Sequence, residues 1–544
     1  MNSNHSTDEL FPPGTNRIET SSGTGIVLSP APSADPNQPL NWPKWRKTLH
    51  MVLLCLYTIL VFAVLTVATP LWVNINIETG VSFDDLNNAY ATSSGALAIG
   101  CIFFVPVALK FGRRPVYIIT ALLMTASAIW QGRAQTTGDF IGSNVIAGLA
   151  GAVNEALFQV TVSDLFFVHQ RASANGMYLA AVCIGNYLGP VAAGYVAESQ
   201  GWRWTFYYLT IFMGITSIAM IFGLEESKFP SPVINGQSTG ALKAKTDSED
   251  GSHLNEKTGV KDLALSGERQ LSIQVTHDSV LRNSTIPVDS YWKRHRLYTL
   301  DTSSLPGKKN SFFRHVVQPF EILLRFPAVA FAALQYGWLV SVLSVVAVTQ
   351  ATIYPAPPYN FGAASVGLMS LPPAIGAIIG SMLGGPLVDY FAIQVAKRRG
   401  GIHEPETRLW LFMIPGCGMV VGTLMYGLTI AKGEAWIINA IGAGFVGFAL
   451  GGCGDMALTY VQDSYQYILG DALVGVVFIR NAISTGLIFA VPPWMTNMGI
   501  YDMFIVVGVL AAVIALTSVP LIVWGRSWRI RLAGGYQKYA ERQY

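Results

Sequence analysis

Apolar runs long enough to cross a membrane alternate with short polar turns along almost the whole chain. An α-helix needs roughly 20 apolar residues to span ~30 Å of hydrocarbon. Segments of that kind fall at 49–73, 89–109, 115–132, 139–163, 172–197 and 203–223, and again at 327–353, 363–390, 409–430, 435–461, 472–496 and 503–524. They are numbered here as spans 1 to 12. The pattern predicts an all-α membrane protein of two six-helix halves, 48–226 and 327–525, joined by a polar interval at 227–326.

That interval contains "KAKTDSEDGSHLNEKTGVKD". A stretch so rich in Ser, Thr, Lys, Asp and Glu cannot bury enough apolar surface to fold, so most of it is expected to be a disordered cytoplasmic linker. Its end, "FFRHVVQPFEILLRFP", regains apolar spacing and predicts a short interfacial helix. The tail 1–47 is polar, with no apolar run of signal-peptide type, and is expected to be disordered and cytoplasmic, while 526–544 is expected to be a cytoplasmic tail.

Composition agrees with the pattern. The chain is 51% hydrophobic and only 12% charged, which excludes a water-soluble globule. Lys and Arg cluster on one side, in "PKWRK" before span 1, "KFGRR" after span 2, "HQR" after span 4, "AKRRGGIHEPETR" after span 8 and "GRSWRIR" after span 12. Positive loops stay cytoplasmic. Both termini are therefore placed in the cytoplasm, and the membrane expected is the plasma membrane. The net charge of +3 reflects this loop asymmetry and gives no support to nucleic-acid binding. Cys55, Cys101, Cys183, Cys417 and Cys453 stand singly without metal-ligand spacing, so no metal or cofactor is expected. The sequons at Asn4 and Asn283 lie in segments read as cytoplasmic.

The basic turn "ALKFGRRPVYI" resembles the signature loop of the major facilitator superfamily, with Lys110, Gly112, Arg113 and Arg114 in it. A second copy follows span 8, where Gly385 and Asp389 of "GGPLVDYF" match the opening Gly-x-x-x-Asp; in the first copy Leu109 replaces the acid. Such loops either obey the topology rule alone or latch helix ends in one transport state. Span 5 reads "GMYLAAVCIGNYLGPVAAG", in which Gly176, Gly185, Gly189, Pro190 and Gly194 resemble the antiporter motif of drug:proton exporters, Ala193 departing. Glycines admit a neighbouring helix and proline permits a bend, although small residues also serve as ordinary membrane packing. Segments such as "DPNQPLNWPKWRK" and "DSYQYILGDALVGVVFIRN" are similar to fungal twelve-span drug:proton antiporters, in the branch with polyamine and organic-cation permeases. Asn144 stands where that family's "RxxxG" arginine would be, and Gln159 where the polyamine branch implies a glutamate.

Ionisable groups inside a membrane span are functional candidates by default. Glu155 lies mid-span with Gln159 and Ser163 on its face and no evident basic partner. Asp455 occupies the corresponding place in span 10, and Arg480, beside Asn481, is offered to Asp455 or Asp463 as an ion-pair partner. Glu155 is expected to carry the coupled proton or bind a cation. Asp164 and His169 fall at a span boundary, where solvated or helix-end roles are expected. Phe158, Trp338, Tyr336 and Tyr460 are candidates to line a cavity, against ordinary packing.

The resemblance implies the major facilitator fold and a monomer that exchanges a small organic molecule for protons across the bilayer. Efflux is the expected direction. Proton-coupled uptake of polyamines or other organic cations is the alternative, and a nutrient sensor that moves nothing is a third. No nucleophile with its base and no phosphate loop favours an enzyme.

Overall fold

The structure, a computed structural model, describes residues 15–17, 35–166, 168–228, 290–296, 311–399, 402–465 and 468–543. Most of the linker, both sequons and the His169 side chain lie outside the described residues. Twelve helices are long and apolar enough to cross a membrane. They run Lys44–Thr79, Phe83–Phe111, Arg113–Arg133, Thr137–Leu165, Ala174–Gln200 and Trp202–Gly223 in the first half, then Pro327–Ile353, Ala363–Arg398, Pro405–Ala431, Trp436–Ser464, Leu469–Asn497 and Gly499–Tyr539. Two begin at side-chain caps. Ser82 accepts from the Asp85 N–H to start span 2, and Thr136 with Asp139 forms a capping box before span 4.

Packing repeats between the halves. Spans 2 and 4 pair as spans 8 and 10 do, 3 and 6 as 9 and 12, and 3 and 4 as 9 and 10. Each half has its own apolar core on the face where both ends of the chain emerge, called here the terminal face. On the opposite face the two halves share one core. It joins Val67, Leu71 and Trp72 of span 1 and Ala193 of span 5 to Val345, Tyr354, Ala363 and Ile488 of the second half. That face is closed. Toward the terminal face, spans 2, 4 and 11 stay together through Val105, Ala156 and Val474, while among the described residues spans 4 and 10 have no comparable contact. Leu109 packs against this apolar cluster, so the departure from the family's acid puts a hydrocarbon contact between the halves.

The helix Ser311–Arg325 lies against spans 2, 7 and 11. Its Ile322 is fully buried and Phe320 meets Phe478 edge to face, at 5.1 Å between centroids. At the chain ends, Asn16–Arg17 pairs antiparallel with Ile402–His403. Arg529, only 1% exposed, donates to Glu406 and to the Thr15 hydroxyl.

Candidate functional site

Glu155 and Arg480 meet between the halves. The Arg480 guanidinium pairs with Glu155 Oε1, and Asn481 Nδ2 donates to Oε2 at 2.8 Å. The carboxylate and guanidinium side chains are 6% and 9% exposed, so this is a buried pair across the interface of spans 4 and 11. The expectation that Glu155 lacks a basic partner is corrected by this contact. Within one helix no cation is available to it, and only the approach of span 11 supplies one. Among the described residues Arg480 Nε has no hydrogen-bond partner, and the guanidinium carbon sits 5.0 Å from the Tyr336 ring centroid. Gln159, one turn beyond Glu155, is half-buried and forms no hydrogen bond among the described residues.

Arg480 pairs with neither aspartate offered to it. Asp463 lies at the terminal end of span 10, where Arg408 Nε reaches its Oδ2 at 2.6 Å, and Arg408 also pairs with Asp389. Asp455 is half-buried, bonds to Ser381 of span 8 and makes no ion pair among the described residues. Next to it Gly454 abuts the Tyr336 ring, where a Cβ would lie 3.2 Å from a ring carbon. Tyr336 thus touches both Arg480 and the backbone beside Asp455. Of the other aromatic candidates, Phe158, Trp338 and Tyr460 are at most 5% exposed and belong to the cores of their own halves. Tyr178, whose ring lies tilted on Phe158 at 4.4 Å between centroids, escaped the sequence reading because its partner sits on another span.

Spans 5 and 8 each contain one π-helical turn, Ile184–Leu188 and Leu383–Leu387. Such turns commonly mark functional bends. The antiporter-like residues divide by what they touch. Gly185 and Gly189 admit span 1, a Cβ on Gly185 lying 2.8 Å from Phe62 Cβ and one on Gly189 3.2 Å from Ala63 Cβ. Gly194 instead faces the other half, where a Cβ would sit 2.7 Å from Ala364 Cα and closer still to the Ala363 carbonyl. The Pro190 carbonyl fills the space beside Gly367 of span 8, and Gly176 faces nothing within 4 Å. Two polar contacts tie the same edge: Ala364 N–H donates to Glu198 at 2.9 Å, and Ser370 donates to the Tyr187 carbonyl at 2.9 Å. Glu198 was missed because its partner is a backbone group 166 residues away.

The two basic loops hold charges within their own halves. Arg113 Nε lies 3.1 Å from Asp164, and the backbone N–H groups of Arg113 and Arg114 donate to Glu226 just after span 6. The Arg114 guanidinium donates to the Leu224 and Ile221 carbonyls at 2.7 Å each. Gly112, at φ 114°, lets the turn fold onto Glu226, with which a Cβ would collide. Lys110 carries the Lys228 ammonium on its carbonyl at 3.0 Å. The second copy repeats the arrangement, with Arg408 between Asp389 and Asp463.

Comparison with known proteins agrees with the repeat. A profile of the Major Facilitator Superfamily matches residues 54–478. The chain is 35% identical over 94% of its length to an MFS-type transporter of Schizosaccharomyces pombe, covering 90% of that protein. It is 30% identical over 94% of its length to the protein HOL1 of Saccharomyces cerevisiae, covering 91% of it, and 25% identical over 92% to the MFS transporter cpaT of Aspergillus oryzae, again covering 91%. The human organic anion transporter MFSD10 (TETRAN) has the same fold, at a TM-score of 0.55 and 13% identity over 88% of this chain and 100% of its own. A chain with six packed helical spans repeated once, matched by that family over most of its length, belongs to the Major Facilitator Superfamily.

Proposed function

We propose that this protein is a proton-coupled secondary active transporter that exports a small organic molecule across the plasma membrane, with both termini in the cytoplasm. The observation that carries the reading is the buried Glu155–Arg480 pair joining spans 4 and 11 between two halves that share a large apolar core on the face opposite the chain ends. Charges placed there cost several kcal/mol unless paired or solvated, and such groups mark substrate and proton paths. The terminal face corresponds to the cytoplasm, so the arrangement is the inward-facing stage of alternating access. Two of the antiporter-like residues of span 5, Pro190 and Gly194, support export, because they line the edge between the halves.

A second reading is favoured by Asp455, a central carboxylate without a cation: proton-coupled import of polyamines or other organic cations. Reconstituted vesicles under an imposed pH gradient separate the two. Radiolabelled spermidine accumulating with the proton flow selects import, and a secreted metabolite moving against it selects export. Movement of neither spermidine nor any member of a secreted-metabolite panel refutes both and returns the protein to a sensor.

A further inference from the structure

The two central carboxylates are not equivalent. Glu155 has both oxygens occupied, one by the Arg480 guanidinium and one by the Asn481 amide. Protonating it would strand a buried guanidinium, which is costly because removing one member of a buried pair leaves the other uncompensated. Among the described residues the Asp455 carboxyl has a neutral hydroxyl, Ser381, as its hydrogen-bond partner, and it remains partly exposed. Adding a proton there breaks no ion pair.

Its surroundings couple that proton to the moving parts. A Cβ on Gly384, inside the π-helical turn of span 8, would lie 3.1 Å from Asp455 Cβ. From the other half Cys183, which immediately precedes the π-helical turn of span 5, feels its charge, as does Tyr336 from span 7. Among the described residues these and Ser381 are the titratable or polar side chains that interact with it, and it makes no ion pair. Asp455 therefore stands where the bends of the two interface helices come together.

We propose that Asp455 carries the coupled proton and that Glu155–Arg480 is a fixed-charge clasp between the halves. The inference rests on the reading of the chain as a proton-coupled transporter and assigns its proton to one residue. The carboxylate takes up one proton to become a neutral acid when its cavity opens to the proton-rich side, and releases it as a carboxylate when the cavity opens to the other. The charge beside the span 8 bend changes by one in each cycle. Glu155 keeps its charge throughout.

The test is infrared difference spectroscopy on the purified full-length protein in lipid, acidified stepwise with no substrate added. A protonated intramembrane carboxyl gives a C=O stretching band. The band is expected in the wild type and in Glu155→Gln, to be lost in Asp455→Asn, and to return in Asp455→Glu, which separates loss of the proton from loss of the fold. Ser381→Ala, which removes the one hydrogen bond to the acid, should move the pH at which the band appears. Survival of the wild-type band in Asp455→Asn, or its loss in Glu155→Gln alone, overturns the assignment. So does its absence in the wild type. Failure of wild-type vesicles to move any solute on a pH gradient would sink the functional reading instead, so the two failures are read apart.

Discussion

Gly194→Ala tests whether the edge between spans 5 and 8 opens during the cycle. The added methyl would sit 2.7 Å from Ala364 Cα, where ordinary contact begins at 3.4 Å, and both obstructing groups are backbone of the other half. Backbone cannot rotate away as a side chain can, so the halves must separate there. Overpacking of this kind costs about 1–3 kcal/mol. The penalty falls only on the state in which this face is closed, which converts it to a shift of about 5- to 150-fold toward the state open on that face. The gain in helix propensity from Gly to Ala, about 1 kcal/mol, acts in both states and drops out. Spin labels at Gln135 and Glu434, two exposed loop positions on that face, one in each half, report the opening as a longer distance. Gly176→Ala is the control, since nothing lies within 4 Å of that position. An unchanged distance distribution in Gly194→Ala, or an equal change in Gly176→Ala, would refute the reasoning.

Three further outcomes follow from the contacts. Glu155→Gln and Arg480→Gln should each destabilise the protein by about 3–5 kcal/mol, because each strands a buried charge, while the double variant loses clearly less than the sum; additive losses in denaturant titrations would deny the pair. Glu198→Ala removes the carboxylate that accepts from the first turn of span 8 and should weaken closure of the same face by about 0.5–1 kcal/mol, read as a smaller lengthening with the same labels; a change as large as that of Gly194→Ala would contradict this ranking. Arg113→Ala breaks a contact to Asp164 in its own half, so it should make the first half easier to unfold while leaving the rates of interconversion unchanged; slowed interconversion would show instead that this loop latches the two halves.

Much of the architecture was already legible in the chain. Twelve apolar runs of membrane length leave the backbone no choice but helix, because each buried N–H and C=O must bond within its own segment. The small residues of span 5 announced a close helix approach, and the basic turns announced which ends share a face. Local chemistry stays within a few residues at Ser82 and Thr136, and at Gly112 the backbone itself demands glycine.

Pairings across the interface were decided by the tertiary structure. Glu155 and Arg480 are 325 positions apart, and their contact depends on how span 4 lies against span 11, which no periodicity within either helix encodes. The same packing turned Arg408 toward Asp389 and Asp463 and left Asp455 without an ion pair among the described residues. It also split the span 5 glycines, setting Gly185 and Gly189 against span 1 and Gly194 against the other half. A membrane helix has a nearly uniform apolar surface, so its sequence carries little information about which face meets which neighbour. Charge and small size mark the candidates, and the crossing of the helices selects their partners.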